Sequence, residues 1–271
     1  MRPTNVADPD YFHKVVDCQW ACPAHTPVPE YIRLIAQGRY DDAYMVNWES
    51  NVFPGILGRT CDRPCEPACR RGRVEEENAA KPEPVAICRL KRVAADLKGD
   101  EIRARIPRAL ARNGKRVACV GAGPASLTVA RDLAAQGYAV TVFDAERKAG
   151  GFMWTQIPRF RLPETVIDEE VGYILNMGVE FRPGERIDSM KELLTRGYDA
   201  LFIGCGAPRG RDLDLPGRAE TRANVNIGID WLALVSFGHV TKIGRRVIVL
   251  GGGNTTKEWS PNTWAWRSPL D

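Results

Sequence analysis

The chain is poor in histidine: His13, His25 and His239 are all it contains. No Ser/His/Asp or Cys/His arrangement can be built around them, which argues against hydrolysis by an activated nucleophile. It lacks any apolar run near the ~18 residues that a membrane-spanning helix needs. Its polar opening, Met1 to Asp10, lacks the apolar core of a signal peptide. A cytoplasmic protein is therefore expected. Strong charge of either sign is missing too. Lys and Arg total 38 against 34 for Asp and Glu, a net +4, too small and too dispersed to point to nucleic acid. One local basic run exists, Arg103, Arg105, Arg108, Arg112, Lys115 and Arg116. It is expected to be a solvated face, with docking to an acidic partner as the sharper alternative.

Cysteine, by contrast, is plentiful. A chain of 271 residues, 44% hydrophobic and 27% charged, can hold one large or two small domains with real cores. Of its eight Cys, six fall before residue 90. In a reducing compartment such clustering asks for metal or catalysis before disulfides. Cys18-Gln-Trp-Ala-Cys22-Pro23 reproduces the C-x3-C-P ending of a ferredoxin run, where thiolates hold an iron–sulfur cluster and Pro turns the chain away. Cys61, Cys65 and Cys69 follow at four-residue spacing, which sets thiols on one side of a helical turn, and Cys88 comes after a short acidic loop. Zinc sites more often use closer pairs with His partners. Iron–sulfur is the favoured reading, with zinc, a disulfide or plain packing behind it.

The intervening segments read as helices over Pro29 to Ala36, Asp41 to Trp48 and Val85 to Leu97, the first with Thr26 as N-cap and Gly38 as stop. His25 is read as a turn-capping residue. Residues 1–98 thus form a small, helical, metal-stapled domain, and the polar residues 99–114 a linker.

From residue 115 the character changes. Lys115 to Val120 is a buried-strand run; Gly121-Ala-Gly123-Pro124-Ala125-Ser126 is a Gly-rich turn; Leu127 begins a helix; and Ala139 to Phe143 is a strand ending in Asp144. This is a βαβ unit of α/β, Rossmann-like class. Its glycines allow close backbone approach to a pyrophosphate at the helix N-terminus, and Asp144 stands where it can accept from ribose hydroxyls. Ser126 replaces the third glycine, at a slight cost to helix–strand packing. Gly150-Gly151, and the stretch Ala200 to Gly206 with Leu215-Pro216-Gly217, resemble parts of the two-dinucleotide flavoprotein fold, a resemblance that implies FAD. Residues 115–244 are thus an FAD-binding domain. Cys119 is read as core and Cys205 as strand-end backbone packing.

Near the end, Gly251-x-Gly253 follows a strand over Arg246 to Leu250, which reads as the start of an NAD(P)H-binding unit over 245–271. Pro261 bars a crossover helix from continuing past it, and three Trp crowd the last 13 residues. The expectation is a truncated or frame-disrupted unit near Thr256, with a natural divergent ending as the rival.

The stretches CQWACPAHTPVPEYIRLIAQGRY, GRTCDRPCEPACRRG, GAGPASL, IPRFRLP and GGGNT, in that order, resemble the glutamate synthase small-subunit family; dihydropyrimidine dehydrogenase carries a similar N-terminal half. The resemblance spans about Asp17 to Thr255. It implies electrons passing from NADPH or NADH through FAD to [4Fe–4S] and on to a catalytic partner subunit, with neither nucleic acid nor membrane involved. The family takes two clusters, one with further Cys upstream of the position matched by Cys18, where Asp10 and His13 stand here. For the other, Cys22, Cys61 and Cys65 match three ligands; the family's Gln or Glu is matched by Lys91, a poor iron ligand. The expected set is therefore Cys22, Cys61, Cys65 and Cys88, with Cys18 and Cys69 holding a second, labile cluster or remaining thiols. For FAD, the resemblance implies Gly123 through Leu127 at the pyrophosphate, Asp144 at the ribose, Gly151 and Phe152 along the chain, Arg161 and Ile187 nearer the isoalloxazine, and Thr60 from the helical domain. A flavin and iron–sulfur docking fragment without nucleotide turnover is the alternative, and a flavin monooxygenase-like enzyme, which needs no Cys domain, the least favoured.

Overall fold

The computed structural model describes residues 16–73, 82–108, 111–207, 209–212 and 216–251. It divides into two compact units, Met1–Pro107 and Arg108–Asp271.

The first unit is helical: α1 (Asp17–Ala21), α2 (Val28–Ala36), α3 (Tyr40–Asn51), α4 (Pro54–Thr60), α5 (Ile87–Asp96) and α6 (Ile102–Arg105), with a 3-10 turn at Arg70–Arg73. Helix α2 starts where Pro29 presets its first turn and stops where Gly38 takes a φ of +72°. Between them Val28, Tyr31 and Leu34 bury one stripe, and the Tyr31 hydroxyl donates to the Ile87 carbonyl at 3.1 Å. Asp41 and Asp42 sit at the positive end of α3. That helix ends at Val52, whose φ of +64° is costly for a β-branched residue, about 1–3 kcal/mol. Burial of Val52 holds the corner and sends the chain directly into Pro54. Helices α4 and α5 approach most closely at Gly58, where an added Cβ would stand 2.8 Å from the Arg92 backbone. The core joins Tyr31, Leu34, Ile87 and Ala94 to Cys65 and Cys69.

Two expectations change here. Thr26 does not cap α2; Pro27 holds that position without a side-chain bond, and the Thr26 side chain turns inward. Residues 99–107 are no linker, since Ile102 and Ile106 are buried, the Gly99 amide donates to Asp41 and Arg105 pairs with Asp42. A short helix with two apolar contacts suffices to dock a polar segment whose periodicity is too brief to read.

The second unit is α/β. Its elements are β1 (Arg116–Val120), α7 (Pro124–Ala135), β2 (Ala139–Asp144), α8 (Phe152–Thr155), α9 (Glu164–Leu175), β3 (Glu180–Pro183), α10 (Met190–Thr195), β4 (Ala200–Ile203) and α11 (Gly228–Ser236). The strands form one parallel sheet in the order β3-β2-β1-β4, with Val117 opposite both Val140 and Ala200. Burial of β1 on both faces explains its unbroken apolar run. Alternation puts Ala118 and Val120 in a cluster with Phe143 and Leu193 of α10, and Val117 and Cys119 on the other face. Strand β3 carries only Phe181 among charged and proline residues, which hid it in the sequence.

The basic run is largely absorbed by structure. Arg112 donates to the Tyr138 carbonyl, Lys115 pairs with Asp199, and Arg116 donates to Arg196 and Gly197 carbonyls while stacking over Tyr198. The strand expected at Arg246 to Leu250 is not formed: these residues have no ladder partner among the described residues, and Ile248 is 86% exposed. An apolar strand is stable only against a sheet, and the described sheet is β3-β2-β1-β4 alone.

Candidate functional site

In the helical unit the Cys18, Cys22, Cys61, Cys65, Cys69 and Cys88 thiols are all free; Cys65, Cys69 and Cys88 are buried and the other three half-buried. Burial and then the surrounding Cys65, Cys88, Cys18 and Cys22 push the Tyr31 phenol upward, which places Tyr31 among four of them. Cys18 neighbours Cys69 electrostatically, whereas Cys65 neighbours Cys61 and Cys22. Cys61 and Cys88 shift each other in opposite directions. The hydrogen bond from Cys88 holds Cys61 low, assisted by the Arg63 amide at 3.3 Å, while Cys61 and burial push Cys88 up. Cys65 thus neighbours Cys22 and Cys61, Cys61 neighbours Cys88, Cys18 neighbours Cys69, and Cys18, Cys65 and Cys69 share one packed cluster.

Local geometry explains the grouping. Cys61 terminates α4 and Cys88 opens α5, and the tight α4–α5 contact at Gly58 carries the Cys88 thiol to within 3.4 Å of the Leu57 carbonyl. Cys22 ends α1, and its sulfur lies 3.4 Å from Thr26 Oγ1.

Thr26 in turn accepts from Asn51 Nδ2 at 2.6 Å and from Ser50 Oγ at 3.1 Å. Asn51 Oδ1 accepts from Lys91 Nζ at 3.3 Å. Thr26, Asn51 and Lys91 are 1%, 7% and 5% exposed. Lys91 is an ammonium inside a thiol-lined interior, and its charge favours the thiolate of Cys61, Cys65 and Cys88. The role of Thr26 and Asn51 was not foreseen; a Thr at a helix start reads as a cap, and only contact with α3 shows otherwise.

Soft thiolates are the donors that iron–sulfur clusters take, and the free thiols here, with a buried lysine beside Cys61, Cys65 and Cys88, fit that chemistry. Among the described residues no three Cys, His, Asp or Glu side chains converge as a site for a single metal ion.

The second site lies at the carboxyl ends of β1 and β4. The chain leaves β1 toward β2 on one side and returns as β4 on the other, which makes this the switch point where α/β sheets bind nucleotides. Gly121 has a φ of +93°, and a Cβ there would stand 2.6 Å from the Gly204 carbonyl oxygen. Gly151, at +54°, would place its Cβ 2.8 Å from Gly123 Cα. The Gly150 amide donates to Ala122 O at 2.7 Å, which ties the two glycine turns together. Helix α7 begins there with Gly123 as N-cap, Pro124 in the first turn and no side-chain cap, so the amides of Ala125 and Ser126 are orphan donors. Ser126 Oγ is buried without a partner among the described residues. It faces Gly204, where a Cβ would come within 2.2 Å of it. The room that a third glycine would supply is thus supplied by Gly204, just past β4, and the strain expected of Ser126 is relieved. Leu127 is fully buried under the turn. The residues fit a dinucleotide pyrophosphate.

Asp144 carries two structural bonds, accepting the Ala122 amide at 2.5 Å and the Glu146 amide at 2.8 Å. A carboxylate has about four acceptor positions, so capacity for a ribose hydroxyl is left. Phe152 opens α8 and is half exposed, and Arg161 is exposed in the turn before α9. Ile187 packs against the Ala118, Val120, Phe143 and Leu193 cluster, which is a core position. In the helical unit Thr60 Oγ1 bonds back to Ile56 O at 2.9 Å. His25 is exposed at a φ of +47° with its ring 5.3 Å from Trp20. Gly251 is exposed at a φ of +126°; Gly253, like Asp10 and His13, lies outside the described residues.

Comparison with known proteins agrees with this division. Residues 12–102 match the family model described as dihydropyrimidine dehydrogenase domain II, 4Fe-4S cluster. Residues 115–262 match that described as pyridine nucleotide-disulphide oxidoreductase. Among curated relatives, the NADPH-Fe(3+) oxidoreductase subunit beta of Geobacter sulfurreducens is 34% identical over 262 residues, covering 93% of this chain and 38% of its own length. The NADP(+)-dependent formate dehydrogenase subunit beta of Moorella thermoacetica is 34% identical, covering 89% and 36%. The glutamate synthase [NADPH] small chain of Mycobacterium tuberculosis is 33% identical, covering 88% and 50%. The chain thus spans half or less of the length of these relatives.

Proposed function

Since the chain belongs to the pyridine nucleotide-disulphide oxidoreductase family, we propose that it carries electrons from NAD(P)H through FAD to a [4Fe–4S] cluster and on to a catalytic partner subunit. One observation carries this reading: a cysteine-rich helical unit precedes a glycine-lined switch point in the same chain. The relatives are named as subunits or chains of NADPH- or NADP-linked enzymes, which supports a partner in general. Reduced thiols and the absence of a helix able to cross a membrane among the described residues suit a cytoplasmic setting.

Flavin, when bound, takes up an electron pair as hydride and releases electrons singly, the exchange that an iron–sulfur centre requires. This chain's residues bind and orient. With FAD bound, the Ala125 and Ser126 amides at the head of α7 would donate to its pyrophosphate, and Gly121, Gly123 and Gly151 would keep side chains out of its path. Asp144 would accept from the ribose, and Arg161 would supply a cation that favours the reduced anion. Cys22, Cys61, Cys65 and Cys88 would hold the cluster.

A second reading, a flavin and iron–sulfur carrier without nucleotide turnover, is favoured by the exposed, unpaired residues 246–250. A visible spectrum of the anaerobically purified chain separates the two. Flavin bands bleached by NADPH support the first; bleaching by dithionite but not by NADPH supports the second. A preparation with neither flavin nor cluster absorbance sinks both.

A further inference from the structure

We infer that the buried chain Lys91–Asn51–Thr26 tunes the cluster held by Cys22, Cys61, Cys65 and Cys88, raising its reduction potential. This rests on the cluster reading above. Thr26 Oγ1 already accepts from Asn51 and Ser50, so its own proton is directed to Cys22 Sγ, 3.4 Å away. As an iron ligand Cys22 is a thiolate and can only accept. The bond therefore runs from hydroxyl to sulfur, and hydrogen bonds to cluster sulfurs raise the potential. Its polarity is set from the far end. Lys91 bonds to Asn51 Oδ1, which fixes the Asn51 amide and turns its NH2 group onto Thr26.

Lys91 contributes its charge as well. It follows Cys88 by three positions on α5, hence on the same face, and is 5% exposed. Among the described residues its hydrogen bond goes to a neutral amide, and no carboxylate pairs with it. A lysine is seldom buried so deeply without an anion. Four thiolates on a four-iron core supply one. Adding one electron makes that assembly more negative, and a fixed ammonium in a dry interior offsets the added charge. Lys91 and Thr26 are positioning residues here; neither binds iron.

The test is an anaerobic dithionite titration of the full chain followed by electron paramagnetic resonance, with iron and sulfide counted per chain. Each electron taken up by the cluster comes from dithionite, which is oxidised. Lys91→Met and Thr26→Val are each expected to keep the iron and lower the midpoint potential, and Thr26→Ser to restore the wild-type value. Unchanged potentials at full iron content would overturn the inference. If Lys91→Met loses iron, the Thr26→Val and Thr26→Ser pair decides it alone. Loss of iron from Thr26→Val but not from Thr26→Ser would make the hydroxyl an assembly requirement and also overturn tuning. A wild-type chain without iron sinks the cluster reading itself, an outcome distinct from these.

Discussion

Lys91 and Asn51 form the one charged hydrogen bond in the buried polar chain of the helical unit, Nζ to Oδ1 at 3.3 Å across α5 and α3. The two residues are 40 positions apart, yet each is nearly inaccessible to solvent. Asn51→Leu leaves the ammonium buried without its acceptor and is expected to cost about 3 kcal/mol. Adding Lys91→Met removes the stranded charge and should recover most of that loss, giving a large favourable coupling in the double-mutant cycle. The thermal midpoint for loss of cluster absorbance measures both; equal midpoints for the single and double variants would count against the bond.

Gly121 and Gly123 are expected to respond differently to alanine. At Gly121 the φ of +93° and the 2.6 Å approach to Gly204 O leave no room, so Gly121→Ala should lower stability by about 1–3 kcal/mol and lose flavin. Gly123 has a φ of −76° and its nearest neighbour to a Cβ is 3.7 Å away. Gly123→Ala should therefore fold normally but bind flavin more weakly, because the methyl stands on the pyrophosphate approach. Calorimetry and flavin content per chain check this pair.

Removing the cluster should unfold the helical unit and spare the sheet. Cys65, Cys69 and Cys88 are part of the buried core, so binding free energy is folding free energy there. Chelation under oxidising conditions, followed by circular dichroism and limited proteolysis, should show loss of helix signal and cleavage confined to the helical unit. Full protection of that unit without iron would contradict it.

Asp199 provides a pH test. The Arg116 amide at 2.8 Å and then the Lys115 ammonium at 2.9 Å hold its carboxyl below the ordinary aspartate range. A lowered carboxylate pKa contributes stability above the unfolded value, and that contribution is lost as pH falls through the folded value. Asp199→Asn should accordingly lower the thermal midpoint at pH 7, with the two proteins converging below about pH 4. A difference that persists undiminished at pH 3 would exclude this origin.

Much of this was legible in the chain. The strand Arg116–Val120, the turn at Gly121 and Gly123 and the strand ending at Asp144 each rest on local signals: an apolar run, glycines at fixed offsets, an acid at a strand end. Equally legible was the crowding of six cysteines before residue 90, which falls within the stretch that matches a 4Fe-4S cluster domain. Thr26 was misread because a hydroxyl at a helix start satisfies the local rule for a cap. Ser126 was read as strained because its neighbour Gly204 lies just past a strand distant in sequence.

The sequence by itself determined most of the helices and the strands around the glycine turn, and which stretches belong to a 4Fe-4S domain and a pyridine nucleotide oxidoreductase domain, because propensity, periodicity and turn geometry act over a few residues. Only the tertiary structure decided where Thr26 points, what Lys91 touches, that Gly204 makes room for Ser126 and that residues 246–250 find no partner in the described sheet. Those outcomes depend on groups brought together from distant positions, whose desolvation and hydrogen bonding no local pattern encodes.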